Sequence, residues 1–291
     1  MELGQNHTPV TRFILLGLTD YPDEKQLLFA IFLLIYSMTL VGNLGMIDMI
    51  RASSTLHTPM YFFLSVLSFL DIFNSSVFTP RLLISFLTTD QTISFAGCVT
   101  QMALMTLHGT GECLLLAIMA YDRFVAICHP LLYHIIMSKR LCVQLVMVTY
   151  VMGVFIAALQ TGNAFILPYC GPNVIDHYSC GIPPVLQLAL ILVSYAYILV
   201  TIYKMRSLEA QNKAFSTCAS HLAALSLFYV PVFLVYVQPN PESSSASNKI
   251  LSVFYTIVIP MLNPLVYSLR NKDVKAAVQL RVLNFSRQGI C

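Results

Sequence analysis

Met119-Ala120-Tyr121-Asp122-Arg123-Phe124-Val125-Ala126-Ile127-Cys128 closes a long apolar run that begins near Cys98 and breaks at His129-Pro130. A helical membrane span needs roughly 20 apolar residues, and this run supplies them. An acid and a base set side by side at the mouth of such a span are costly there, and ionisable groups in that setting are functional by default. The fold therefore turns on how many comparable runs flank this one.

Two precede it, at about 27–50 and 59–83. Four follow, at about 142–166, 185–203, 215–237 and 250–269. Hydrophobic residues make up 57% of the 291 and charged ones 10%, against roughly a quarter charged in a soluble domain. The chain is predicted to be an all-α membrane protein, a seven-transmembrane-helix bundle forming one domain over residues 1–291. Pro59 suits a first helical turn, and Pro168 ends the fourth span. The net charge of +3 gives no ground for a nucleic-acid partner. Met1 to Glu24 lacks a basic start followed by an apolar block, so the first span itself is expected to target the chain. After the seventh span, residues 272–283 read as a short amphipathic helix on the cytoplasmic lipid surface, with Val274, Ala277, Val278 and Val282 on one side.

The fifth run, apolar apart from Gln187, is only just long enough to cross. Charge tests it independently, because basic residues favour the cytoplasmic side. With residues 1–25 outside, Arg51, Arg123, Lys139, Arg140, Lys204, Arg206, Lys213 and the five basic residues of the 270–291 tail fall inside. That is twelve of sixteen Lys and Arg; Arg12, Lys25, Arg81 and Lys249 fall toward the outer side. Without a fifth span the basic tail would be carried outward. The expected location is the plasma membrane, with an extracellular N-terminus and a cytoplasmic C-terminus.

Seven spans suit a transporter or a receptor, but paired, interrupted helices in two matching halves, as transporters usually show, are not evident. The motifs decide. They are Gly42-Asn43, Leu56-His57-Thr58-Pro59-Met60-Tyr61, Leu67-Ser68-Phe69-Leu70-Asp71, the Met119 to Cys128 string running on to His129-Pro130-Leu131, and Ser194-Tyr195. Lys213-Ala214-Phe215-Ser216-Thr217-Cys218-Ala219-Ser220-His221 and Pro260-Met261-Leu262-Asn263-Pro264-Leu265-Val266-Tyr267 complete the set. In this order, over nearly the whole chain, they resemble the vertebrate odorant receptors, a branch of the rhodopsin-like G-protein-coupled receptors. The resemblance implies a non-enzymatic receptor that binds a small odorant and activates a stimulatory, olfactory-type heterotrimeric G protein, raising cyclic AMP.

Site residues follow from the same resemblance. Arg123 would pair with Asp122 at rest, then swing toward Tyr195 and Tyr267; Phe124 stands where the family's motif usually has Tyr. Asn263 and Pro264 match the activation motif of the seventh helix, where Pro264 removes a backbone hydrogen bond and Pro260 does the same one turn earlier. His221 is read as a cytoplasmic-side contact. Asp71 is expected beside Asn43 and Asn263, with Glu112 facing it. Two carboxylates in a low-dielectric site repel unless a proton or a metal intervenes, so a protonated, hydrogen-bonded pair and a bound sodium ion both stand open. No other cofactor or metal is expected. Asp48 and Arg51, three apart on one helical face, read as a local ion pair.

Of the eight cysteines, Cys98 and Cys180 would form the bridge tying the long outer loop to the bundle. Asn6-His7-Thr8 reads as a glycosylation acceptor. Met102, Met105, Thr106, Gly109 and Thr110 share the interior side of the third span, Tyr229, Val232 and Tyr236 recur at three and four, and Val253 and Thr256 face them. Taken singly, each is ordinary core; together, methionines and aromatics with few hydroxyls suit a small, mostly apolar, volatile ligand. One departure cuts against signalling. Ser194 follows Cys180 after only fourteen residues, so part of the outer loop and the outer half of helix five look deleted, and Cys170 has lost its usual loop partner. The alternative reading is a non-signalling, receptor-like membrane protein, retained or misfolded through that shortened helix.

Overall fold

The computed structural model describes residues 11–19, 21–166, 173–180, 200, 203, 211, 249–250, 252–270 and 274. Helix α1 spans Pro22–Ala52, α2 Pro59–Leu87, α3 Phe95–Cys128, the single-turn α4 Tyr133–Ile136, α5 Lys139–Ile166 and α6 Ile259–Arg270. Four of these, α1, α2, α3 and α5, are long and apolar enough to cross a membrane. They correspond to the first four expected spans and run a few residues beyond most of their ends. α6 belongs to the seventh; the expected fifth and sixth spans and the tail helix lie outside the described residues, apart from isolated positions.

Helices α1, α2 and α5 each bury one side and turn apolar side chains outward elsewhere, the pattern of a helix solvated by lipid. In α1 the stripe is Phe32, Thr39, Asn43, Met46 and Ile50, at helical spacing, while Leu27, Leu34, Val41 and Leu44 are exposed. Its ends are built as the helix dipole asks, with Pro22 first, Asp23 and Glu24 in the opening turn and Arg51 in the last. α3 is buried over most of its length. Ser94 caps it by accepting a hydrogen bond from the Gly97 N–H at 3.1 Å. α5 approaches α3 closely at Gly153, where a Cβ would lie 2.7 Å from Leu107 Cδ1.

The seventh span is irregular. A π-helical turn at Phe254–Val258 leads into α6, which contains Pro264. A proline has no N–H for the carbonyl four residues earlier, so Pro264 leaves the Pro260 carbonyl without its helical donor, and Pro260 does the same to Thr256. Neighbouring helices fill both places. Asn43 Nδ2 of α1 donates to Pro260 O at 2.9 Å, and Asn74 Nδ2 of α2 donates to Thr256 O at 3.2 Å. Gly42 lies against the same joint, where a Cβ would make ordinary contact with the Pro264 ring at 3.4 Å. The Gly42-Asn43 pair thus serves the proline helix. Of the two asparagines expected beside Asp71, Asn263 is the one that donates to it, while the Asn43 amide donates to Pro260 O and Thr39 O.

A small sheet at the Phe95 end of α3 is a feature the sequence did not signal. β1 (Arg12–Leu15) pairs antiparallel with β2 (Thr92–Ser94) and parallel with β3 (Val174–Ile175). Phe13 and Leu15 point in and are buried with Ile93, Cys98 and Cys180, while Arg12 and Ile14 face out. The Cys98–Cys180 disulfide fixes this loop to the start of α3.

Candidate functional site

Three groups of residues line up along the bundle. At the capped end, the loop after β3 turns its side chains into the helices. Tyr178 is buried among Phe32, Leu82, Leu83, Phe86 and Ile257, and its hydroxyl bonds Thr256 Oγ1 at 2.7 Å. His177 stacks on Tyr178 with ring centroids 4.5 Å apart, and its Nε2 meets Ser252 Oγ at 2.9 Å. Burial holds the His177 imidazole well below its usual pKa, at about 4, against the opposing hydrogen bond of the Ser179 backbone. Lys249 Nζ reaches Asp176 at 2.6 Å, and Gln101 Oε1 accepts the Cys180 N–H at 2.9 Å.

The expected pocket residues divide here. Met102, Met105, Thr106, Gly109 and Thr110 are all buried in α3. Thr106 Oγ1 turns to Gln160 Oε1 of α5 at 3.1 Å. Thr256 instead donates to Ser252 O and meets Tyr178, so its hydroxyl is taken up by the loop; Val253 is half-buried beside the same cluster. Tyr229, Val232 and Tyr236 lie outside the described residues, as do Asn6, Tyr195, Cys170 and the string from Lys213 to His221. Sequence reasoning missed Tyr178 and His177, since a loop aromatic carries no periodicity to announce its burial.

Midway along the bundle, Asp71 is fully buried in α2, and Asn263 Nδ2 of α6 donates to its Oδ2 at 2.9 Å. Glu112 is buried in α3. Between the two carboxylates stands His108, which the sequence reading passed over. Its Nε2 lies 3.7 Å from Asp71 Oδ1 and its Nδ1 4.0 Å from Glu112 Oε2. Asp71 Oδ1 and His108 Nε2 have no hydrogen-bond partner. A hard cation takes several oxygen ligands at roughly 2.3–2.6 Å. Here an imidazole separates the carboxylates, and among the described residues no three His, Cys, Asp or Glu side chains are placed to hold a metal ion.

At the far end of α3, Asp122 is completely buried. Arg123 grips its Oδ2 with Nε at 3.0 Å and Nη2 at 2.5 Å, and the Tyr133 hydroxyl donates to Oδ1 at 2.8 Å. Burial, then the neighbouring carboxylate, push the Tyr133 pKa upward. Phe124 lies near Tyr121 and His129, at ring centroids of 6.3 and 6.1 Å. Tyr267 falls within α6, its side chain outside the description. Tyr133 is the partner sequence reading missed; its position in a short loop helix gave no signal beyond eleven residues of separation.

Residues 42–267 match the family described as "7 transmembrane receptor (rhodopsin family)". The chain is 48% identical to olfactory receptor 5AP2 of Mus musculus over 306 residues, covering 97% of this chain and 96% of the relative. It is 50% identical to olfactory receptor 5P55 of Mus musculus over 303 residues (96% and 98%), and 47% identical to olfactory receptor 5G3 of Homo sapiens over 302 (96% and 96%). The chain belongs to the seven-transmembrane receptors of the rhodopsin family and, within them, to the olfactory receptors. It is a multi-pass membrane protein and a signalling receptor, not an enzyme. An alignment of 306 positions also exceeds the 291 residues available here, so the relative carries residues with no counterpart in this chain.

Proposed function

We propose that this receptor binds a small, mostly apolar volatile odorant within the bundle and activates a stimulatory, olfactory-type G protein, raising cyclic AMP. It would sit in the plasma membrane with its N-terminus outside. The observation that carries this is the double hold on a buried Asp122, by Arg123 and by Tyr133, at the inner mouth of α3. A charge so held costs little while paired and much when stripped of one partner, which gives the Arg123 side chain two defined positions rather than a continuum. Ligand would favour the released position by binding that state better, with Tyr195, Tyr267, Asn263 and Pro264 completing the switch. Met102, Met105, Thr106, Gly109 and Thr110, with Tyr229, Val232, Tyr236, Val253 and Thr256, are the ligand-contact candidates.

The test is odorant-evoked cyclic AMP in cells expressing the chain with a stimulatory olfactory G protein. Arg123→Ala is expected to abolish the response at unchanged surface expression; a retained response refutes the switch. A second reading, a non-signalling or retained protein with a shortened helix five, is favoured by the surplus of aligned positions over this chain's length. Tags at both termini, stained in intact and permeabilised cells, separate the two. An outside N-terminus with an inside C-terminus supports the signalling receptor, and absence of surface signal supports the alternative.

A further inference from the structure

We propose that His108 takes the place of a bound cation between Asp71 and Glu112, so that the polar core of this receptor is closed to sodium. Two carboxylates buried on facing helices need something positive or a shared proton between them. The structure supplies an imidazole, with one ring nitrogen toward each acid: Nε2 to Asp71 Oδ1 and Nδ1 to Glu112 Oε2. All three side chains are more than nine-tenths buried. The ring can donate on both sides, or donate on one side and accept a carboxyl proton on the other. In each case its atoms fill the volume a shared cation would need. Asp71 Oδ1 and His108 Nε2, each without any other partner, face each other. The second oxygen of Asp71 is committed to Asn263, and Asn43 Nδ2 is committed to Pro260 and Thr39.

α2, α3 and α6 are joined here through a covalently attached group that cannot be washed out or exchanged with the medium. The inference rests on reading Asp71, Glu112 and Asn263 as the core of the receptor. Its test needs neither odorant nor G protein, so a receptor that fails to signal leaves the inference standing.

The full-length receptor, purified in detergent, is heated in sodium chloride and in choline chloride at matched ionic strength, up to about 0.3 M. The wild-type unfolding midpoint is expected to be the same in both salts. His108→Ala opens the space between the acids, and its midpoint should rise with sodium by roughly 3 °C. His108→Asn, a smaller change, is expected to gain the same response and serves where the alanine variant does not fold. Adding Asp71→Asn to either variant should remove it. A saturable sodium-dependent rise in the wild type overturns the proposal. So does a folded His108 variant without a sodium response, or a response that survives Asp71→Asn.

Discussion

Removing Asn43 should matter chiefly because Pro264 is present. The Asn43 amide is fully buried and donates to Pro260 O at 2.9 Å and to Thr39 O at 3.0 Å. Thr39 O is four residues before Asn43 in an uninterrupted helix and keeps its ordinary backbone donor. Pro260 O has none, because Pro264 lacks the N–H that would reach it. Asn43→Ala therefore leaves one buried carbonyl unpaired, at a cost of about 1–3 kcal/mol, together with a small cavity. At roughly 2–4 °C per kcal/mol for a chain approaching this size, the midpoint should fall by several degrees. Pro264→Ala restores the helical N–H. In that background Asn43→Ala should lose only the cavity contribution, which is common to both arms and cancels in a double-mutant cycle. The expected coupling is about 1–2 kcal/mol, read from thermal unfolding of the four purified variants. Additivity within about 0.5 kcal/mol would refute the assignment of Asn43 to the proline-freed carbonyl.

Three shorter expectations accompany it. Tyr133→Phe removes the donor to Asp122 Oδ1, worth about 1.5–3 kcal/mol for a hydrogen bond to a charged group, so ligand-free G-protein activation should rise several-fold; an unchanged or lower basal signal would count against the double hold. Gly153→Leu must displace Leu107, whose Cδ1 would lie 2.7 Å from the new Cβ, and should destabilise the α3–α5 contact by about 1–3 kcal/mol, measured by the thermal midpoint against Gly162→Leu, where a Cβ meets nothing within 4 Å. His177 is held neutral by burial, with a pKa of about 4 against the usual 6.5 of a histidine. The unfolded imidazole therefore takes up its proton first as pH falls. Its contribution should be intact above about 6.5 and lost progressively toward pH 4, by roughly 3 kcal/mol in all. The midpoint of His177→Asn should lack that part of the acid dependence.

The four long helices were legible because length and apolar composition leave a membrane span few alternatives, and Asp122-Arg123 because its motif outweighs the reading of a snorkelling surface pair. Contacts between helices were less accessible. Asn43 was placed beside Asp71 on the family resemblance alone. A count of four residues back from Pro264 would have named Pro260 O as the group in need, and the same count from Pro260 leads to Thr256 O and so to Asn74. His108 was passed over altogether. Yet it shares a helix face with Glu112, four residues on, and that pairing was a usable signal. The strands β1, β2 and β3 are two to four residues long. Arg12-Phe13-Ile14-Leu15 shows no polar alternation, although the structure buries alternate residues.

These missed contacts concern one element. The described part of the seventh span has almost every unusual backbone position reached from another helix: Thr256 O from Asn74 of α2, Pro260 O from Asn43 of α1, and Asn263 against Asp71 of α2. A π-helical turn and two prolines deprive it of the internal bonds that make a helix stiff. Its shape is consequently set by α1 and α2, not by its own sequence. Those bonds occupy about two turns, from Thr256 to Asn263, below the point where Tyr178 presses its hydroxyl onto Thr256. Among the described helices, a displacement of this loop therefore acts on the one with the most interrupted internal bonding. The Asn263–Asp71–His108–Glu112 chain then connects that helix to α3, whose far end carries Asp122 and Arg123. Bonds to carbonyls can be exchanged singly, whereas the buried charge at Asp122 cannot be half released. On the proposed switch, the described part of the seventh helix would be the compliant element and the Asp122–Arg123 end of α3 the two-state one.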